Sequence, residues 1–240
     1  MDPGFSYDEI ADAYAAGVDS APYNALYERP AMLDLLPPVA GARVLDAGCG
    51  AGWYAAELAT RGAFVTAIDA SAAMIGHSRD RFASTSNELA HRVDLRVADL
   101  EQPLSFAADG TFDGIVCSLV LHYLRDWAPT LAEFRRILKS NAWLLFSTHH
   151  PAAEAIRCDT ARYLDVERIE DYWKWVGTVR YYRRPLSAMI EALTAAGLTV
   201  EKLVEPLPTD EFRAVKPESY KRLLRLPEFL LVRARPCHRA

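Results

Sequence analysis

Val44-Leu45-Asp46-Ala47-Gly48-Cys49-Gly50-Ala51-Gly52 joins a short apolar run to three glycines at alternate positions, and its reading decides the fold. The run from Arg43 to Ala47 has the length and apolar content of a buried strand, and a helical pattern opens at Trp53. Between them the glycines predict a tight turn. Glycine accepts positive φ and leaves no Cβ between a ligand and the backbone at a helix N-terminus. Asp46 stands at the strand's carboxyl end, the edge at which open α/β sheets bind ligands. A dinucleotide fingerprint, G-x-G-x-x-G, would need glycine at position 53, where Trp53 stands. A phosphate-cradling P-loop would need a Gly-Lys-Ser/Thr ending, and no lysine is near.

Outward from this stretch, strands and helices alternate. A helix from Trp53 to about Arg61 is closed by Gly62, and Ala63 to Ile68 reads as a strand ending in Asp69-Ala70-Ser71. A helix over 71–82 follows, with Ser71 as its N-cap. Val93 to Ala98, Phe112 to Cys117 and Asn141 to Thr148 read as further strands, and Pro129 to Leu138 as an amphipathic helix. This alternation predicts a parallel sheet covered by helices on both faces. Residues 1–40 read as a helical prelude, with a second helix from about Asn24 to Leu36. After His149-His150-Pro151 the rhythm breaks. Residues 152–184 carry many aromatics without a helical period, and a strand pair turned at Gly177 is expected there. Pro185 reopens the pattern with a helix ended by Gly197, and strands are expected at 198–204 and 229–234.

Three acids, Asp46, Asp69 and Asp99, each close a successive strand, so in a parallel sheet they share one edge. Asp69 follows Asp46 at close to the roughly 20-residue spacing at which an acid meets a ribose diol. The D-x-G-x-G-x-G motif at 46–52, with these later acids, resembles the class I S-adenosylmethionine-dependent methyltransferases. The small-molecule, type 11-like branch fits best, from Tyr7 to about Gly197. That resemblance implies an α/β, Rossmann-like fold with a seven-stranded mostly parallel sheet and its last strand antiparallel. An N-terminal helical lid and an aromatic insertion after the fifth strand complete it. One domain over 1–240 is expected: lid 1–40, cofactor-binding half 41–150, capping insertion 151–184, and C-terminal helix and strands 185–240.

The resemblance implies S-adenosyl-L-methionine as cofactor, with Asp69 on its ribose, Asp99 on its adenine amine and Asp46 facing its ammonium. It adds the loop residues Gly48, Cys49, Gly50 and Gly52, then Ala70, Met74 on the adenine, Leu100, and the backbone near Ser118 and Leu119. Tyr7 and Tyr14, in Tyr-Asp-x-x-Ala-x-x-Tyr, are its expected lid residues. A crevice lined by acids and free of lysine and arginine suits a sulfonium cation. The run Cys117 to Leu124 lacks the Asn/Asp-Pro-Pro-Tyr sequence of enzymes that methylate nucleobase or amide nitrogens, which points to a small-molecule acceptor.

Methyl transfer is an in-line displacement in which the protein chiefly aligns the partners and excludes water. A hydroxyl acceptor profits from a base in the histidine range, and His122, His149 and His150 are the candidate catalytic residues. Neighbours on a strand point to opposite faces, so at most one of His149 and His150 faces the crevice. Trp173, Trp175, Tyr181 and Tyr182 are the candidate walls of the acceptor pocket. No metal is expected.

At 240 residues, 51% hydrophobic and with net charge −5, the chain can bury a full core and has no general attraction to nucleic acid. The basic residues between Arg213 and Arg235 are interleaved with acids and read as a solvated helix face. No membrane span or export leader is visible, and the four cysteines lack metal spacing. A cytoplasmic enzyme methylating a small metabolite is expected, a homodimer being allowed. The rivals are a protein of this fold that binds the cofactor without methylating, and a catalyst of another reaction that keeps it as a fixed cation.

Overall fold

In the computed structural model, residues 8, 10–160, 162–173 and 176–237 are described. Two helices precede the sheet, α1 (Ala11–Val18) and α2 (Arg29–Leu35), with a π-helical turn at Asn24–Glu28 leading into the second. The single helix expected from Asn24 therefore begins as a wider turn, which tucks Tyr27 and Glu28 out of solvent. Then come β1 (Arg43–Ala47), α3 (Trp53–Thr60), β2 (Phe64–Asp69), α4 (Ala72–Ala83), α5 (Asn87–Ala90) and β3 (Val93–Val97). Next are β4 (Phe112–Ser118), α6 (Ala128–Ile137) and β5 (Leu138–His149). Ser71 caps α4 by accepting a hydrogen bond from the Met74 amide, as its position before the helix predicts.

The insertion differs from expectation. It opens with a helix, α7 (Pro151–Arg157), started by Pro151 and by the His150 ring accepting from the Ala152 amide. The strand pair is present but longer and earlier: β6 (Glu167–Trp173) pairs antiparallel with β7 (Gly177–Arg183). Trp173 lies opposite Gly177, so Gly177 starts the second strand and the turn precedes it. The chain ends with α8 (Leu186–Ala195), β8 (Leu198–Val204), α9 (Asp210–Val215), α10 (Pro217–Leu223) and β9 (Phe229–Pro236).

Seven strands form one sheet in the order β3-β2-β1-β4-β5-β9-β8, with β9 antiparallel to both neighbours and the other pairs parallel. Neighbouring residues feed opposite cores. Leu45, Ile115 and Leu144 pack with α6 and α8 on one face. Val44, Val116 and Leu145 pack with α2 and α3 on the other. The chain leaves β1 for β2 on one side and later returns to β4 on the other. That switch point opens a crevice at the carboxyl ends of β1 and β4. Val176, Val179 and Tyr181 of the hairpin make a third small core with Ile10, Tyr14 and Tyr123, so the N-terminal segment and the insertion meet above the crevice.

Candidate active site

The glycine loop is built as the motif requires. Gly48 has φ 77°, and a Cβ there would stand 2.3 Å from Val120 Cγ2. Gly50 has φ 52°, and a Cβ there would meet nothing within 4 Å, because this glycine faces the open cleft. Its amide donates to Asp69 Oδ2 at 2.9 Å, while Asp69 Oδ1 accepts from the Ser71 amide at 2.9 Å. Asp69 thus ties the loop to the tip of β2 and lines the cleft, and burial raises its pKa.

Asp46 sits beneath the loop, 1% exposed, with Oδ2 lacking a hydrogen-bond partner among the described residues. Burial first, and then the nearby Asp69, push its carboxyl up to about 7. Asp99 accepts from the Glu101 amide at 3.0 Å, and it is the flanking Ala98 and Leu100 that line the cleft.

Of the expected cofactor residues, Tyr14, Gly48, Gly50, Ala70, Met74, Leu100, Ser118 and Leu119 join Asp69 around this cleft. Cys49 faces an adjoining lobe. Gly52 instead caps α3, and a Cβ there would stand 2.7 Å from Ser78 Oγ. Tyr7 lies outside the described residues. Val120, Tyr123 and Leu124 also line the cleft. They belong to the quoted 117–124 run, but only a one-turn 3-10 helix at Leu121–Tyr123 turns them inward.

The expectation of a crevice free of arginine is corrected. Arg29, from the N-terminal segment, lines the lobe beside the loop. Its guanidinium lies 4.2 Å from the centre of the Trp53 ring and donates to the Asp19 carbonyl at 3.1 Å. The signal was present, since Glu28-Arg29 interrupts the apolar stretch carrying Tyr27 and Met32, both fully buried.

Glu28 was also missed. It is 1% exposed and accepts three hydroxyl bonds, from Tyr54 at 2.9 Å, Ser118 at 2.8 Å and Ser147 at 2.5 Å. Ser147 Oγ in turn accepts from the Leu119 amide at 3.0 Å. Leu119 has φ 54°, one of two non-glycine residues with positive φ among those described. For an L-residue that region costs about 1 kcal/mol or more.

Beyond Leu119, Tyr14 and Tyr123, which border both spaces, the cleft opens into a cavity of about 680 Å³. His122, His149 and Trp173 line it, with Glu154, Arg157 and Asp171. The His122 and His149 rings stack at 4.1 Å, 13° from parallel. Burial pulls both pKa values down, most for His122, so both rings are neutral at pH 7. His149 Nδ1 faces Glu154 Oε1 at 3.8 Å. Glu154 is buried, takes the Tyr181 hydroxyl at 2.7 Å, and pairs with Arg157 at 2.8 Å.

The remaining candidates stand elsewhere. His150 caps α7 and meets Glu205 at 2.8 Å, outside the cavity wall. This follows from the alternation of neighbours at the end of β5. Tyr181 is buried edge-on against His149, 4.8 Å between centroids, and buttresses that ring. Tyr182, next along β7, points to the opposite side and does not line the cavity. Trp175 lies outside the described residues.

These residues suit S-adenosylmethionine. The buried Asp46 Oδ2 without a partner, the open space at Gly50 and the Asp69 carboxylate at the strand tip match a ligand with an ammonium, a sulfonium and a ribose diol. Comparison with known proteins agrees. Residues 45–146 match the methyltransferase domain family. An S-adenosylmethionine-dependent methyltransferase from Mesorhizobium loti superposes with a TM-score of 0.74 at 29% identity, over 91% of this chain and 100% of that one. An uncharacterized protein of Haemophilus influenzae is 26% identical over 88% of each chain. A ubiquinone biosynthesis O-methyltransferase of Xanthomonas oryzae is 34% identical over 60% of this chain and 59% of its own length. Sheet order, glycine loop and relatives coincide: residues 45–146 carry a methyltransferase domain, and the chain is similar in sequence and fold to S-adenosylmethionine-dependent methyltransferases.

Proposed function

We propose that the chain methylates a hydroxyl group on a small aromatic or apolar metabolite, with His149 as the general base. The observation that carries this reading is the neutral imidazole on the cavity wall, its buried Nδ1 near the Glu154 carboxylate but without a hydrogen bond among the described residues. With Nδ1 turned to Glu154 at 3.8 Å, Nε2 is the nitrogen left for an acceptor. A cavity of about 680 Å³ suits a small metabolite, and Trp173, Tyr123 and Phe229 offer flat apolar walls. The cofactor supplies an activated methyl on sulfur. The chain's part is to hold the acceptor oxygen in line, keep water out, and receive the proton at His149 Nε2 as the oxygen–carbon bond forms and the carbon–sulfur bond breaks. His149 then returns the proton to solvent. The O-methyl transfer named for the Xanthomonas relative supports the same acceptor atom, and the net charge of −5 supports a metabolite over nucleic acid.

The test is incubation with S-adenosylmethionine and a panel of phenols and alcohols matched to amines, with mass spectrometry of products. A hydroxyl-methylated product, formed roughly 100-fold or more slowly by His149→Ala, is expected. Methylation confined to nitrogen or carbon, or an unimpaired His149→Ala, would overturn the assignment.

A further inference from the structure

Glu28 is a buried carboxylate whose salt-bridge distance to any cation among the described residues is unfilled, yet its two oxygens hold three hydroxyls from three different elements. Oε2 takes Tyr54 of α3, and Oε1 takes both Ser118 at the end of β4 and Ser147 of β5. Arg29 is next in sequence but pairs with Asp19. An acid gains little stability in such a place: burial raises the Glu28 pKa, and the three hydroxyls and the charge of Arg29 offset that only in part. What the arrangement does is geometric. A serine hydroxyl that donates to Glu28 must turn its lone pairs elsewhere, and Ser147 Oγ turns one to the Leu119 amide at 3.0 Å. The Ser147 carbonyl takes the same amide at 3.0 Å. Leu119, clamped by both, is the residue held at φ 54°. It also borders the cofactor cleft, the adjoining lobe and the large cavity at once.

We propose that Glu28 is a positioning residue for the cofactor: through Ser147 it holds Leu119 in its left-handed conformation and so shapes the seam between cofactor cleft and acceptor cavity. Strained backbone at a ligand clamp persists only where surroundings over-determine it, and the Glu28–Ser147–Leu119 chain is that surrounding. The three parts lie in the lid segment, β5 and the loop after β4, so one carboxylate locks three separately folded pieces together. A π-helical turn is what brings Glu28 inward, in keeping with the use of such turns at functional sites.

Calorimetry with S-adenosylmethionine and with S-adenosylhomocysteine tests this without an acceptor, on Glu28→Gln, Ser147→Ala and their double variant. Glu28→Gln keeps size and shape but puts an amide donor against the serine donors. It is expected to weaken both ligands by the same factor, about tenfold, the size of one lost charge-assisted hydrogen bond. Ser147→Ala should weaken them comparably, with the double variant little worse than either. In a Leu119→Gly background, where left-handed φ carries no strain, the loss from Glu28→Gln should shrink to about twofold or less. Thermal unfolding checks that each variant is folded. A loss confined to the cationic ligand would make Glu28 a counter-charge instead. Additive losses in the double variants, or unchanged affinities, would equally overturn the proposal.

Discussion

Asp46 and His149 show how burial sets chemistry at single residues. The Asp46 carboxyl titrates near 7 when folded and near 4 when unfolded. Between those values the folded state holds more protons, so stability falls as pH rises from about 4 through 7, at up to about 1.4 kcal/mol per pH unit from this group. Asp46→Asn is expected to flatten that part of the stability–pH curve in denaturant titrations without cofactor. An unchanged slope would mean Asp46 is not the buried acid responsible. For His149 the sign is opposite in consequence. In the role proposed for it, its neutral form is the base, and burial lowers its pKa below the ordinary 6.5. Turnover should be level above about pH 7 and fall only below about 6.5, with the acid limb absent from the residual activity of His149→Ala. A limb that survives the substitution would assign it to another group.

The glycine loop, as an element, separates folding strain from ligand fit. Gly48 and Gly50 both have positive φ, but only Gly48 is crowded, by Val120. Gly48→Ala should therefore lower thermal stability by about 2 kcal/mol or more and abolish cofactor binding. Gly50→Ala has room for its methyl group in the cleft, so it should lose binding with a smaller stability change. Equal melting temperatures for the two would contradict this. The loop was legible beforehand because alternate glycines after an apolar strand have few other uses. The hairpin was legible only in kind. Its aromatics lie between charges, and the inward set, Ile169, Val179 and Tyr181, is chosen by pairing register, which no local pattern specified.

At the scale of the whole molecule, α1 and the hairpin come together over the crevice from distant parts of the sequence. The N-terminal segment is tied to α4 by His77 and Asp12 at 2.9 Å and by Arg81 and Asp19 at 2.6 Å, half-buried basic side chains meeting exposed acids. Such clasps are worth little each; Asp8 adds acceptors for the Ser71 hydroxyl and the Ala73 amide, and Tyr14 and Ile10 pack against the hairpin. S-adenosylmethionine at 100 times its Kd should stabilise the protein by about 2.7 kcal/mol. Hydrogen exchange should slow most in α1 and in the hairpin, while β1 and β4 are already protected. Protection confined to the glycine loop would mean that lid and insertion do not respond to the cofactor.

The primary structure determined the strand, turn and helix around 46–52, the alternation that builds the sheet, and the acids at strand tips. Each is a local pattern of apolar spacing and turn chemistry, written within one element or the next. Only the tertiary structure decided that Asp46 lies under the loop, that Arg29 enters the lobe beside the glycine loop, and that His149 faces the cavity while His150 turns away. It alone joined Glu28, Ser147 and Leu119, residues 119 positions apart at the extremes. Which side chain meets which across that distance depends on how layers pack and where burial leaves a polar atom unpaired, and neither is encoded in spacing along the chain.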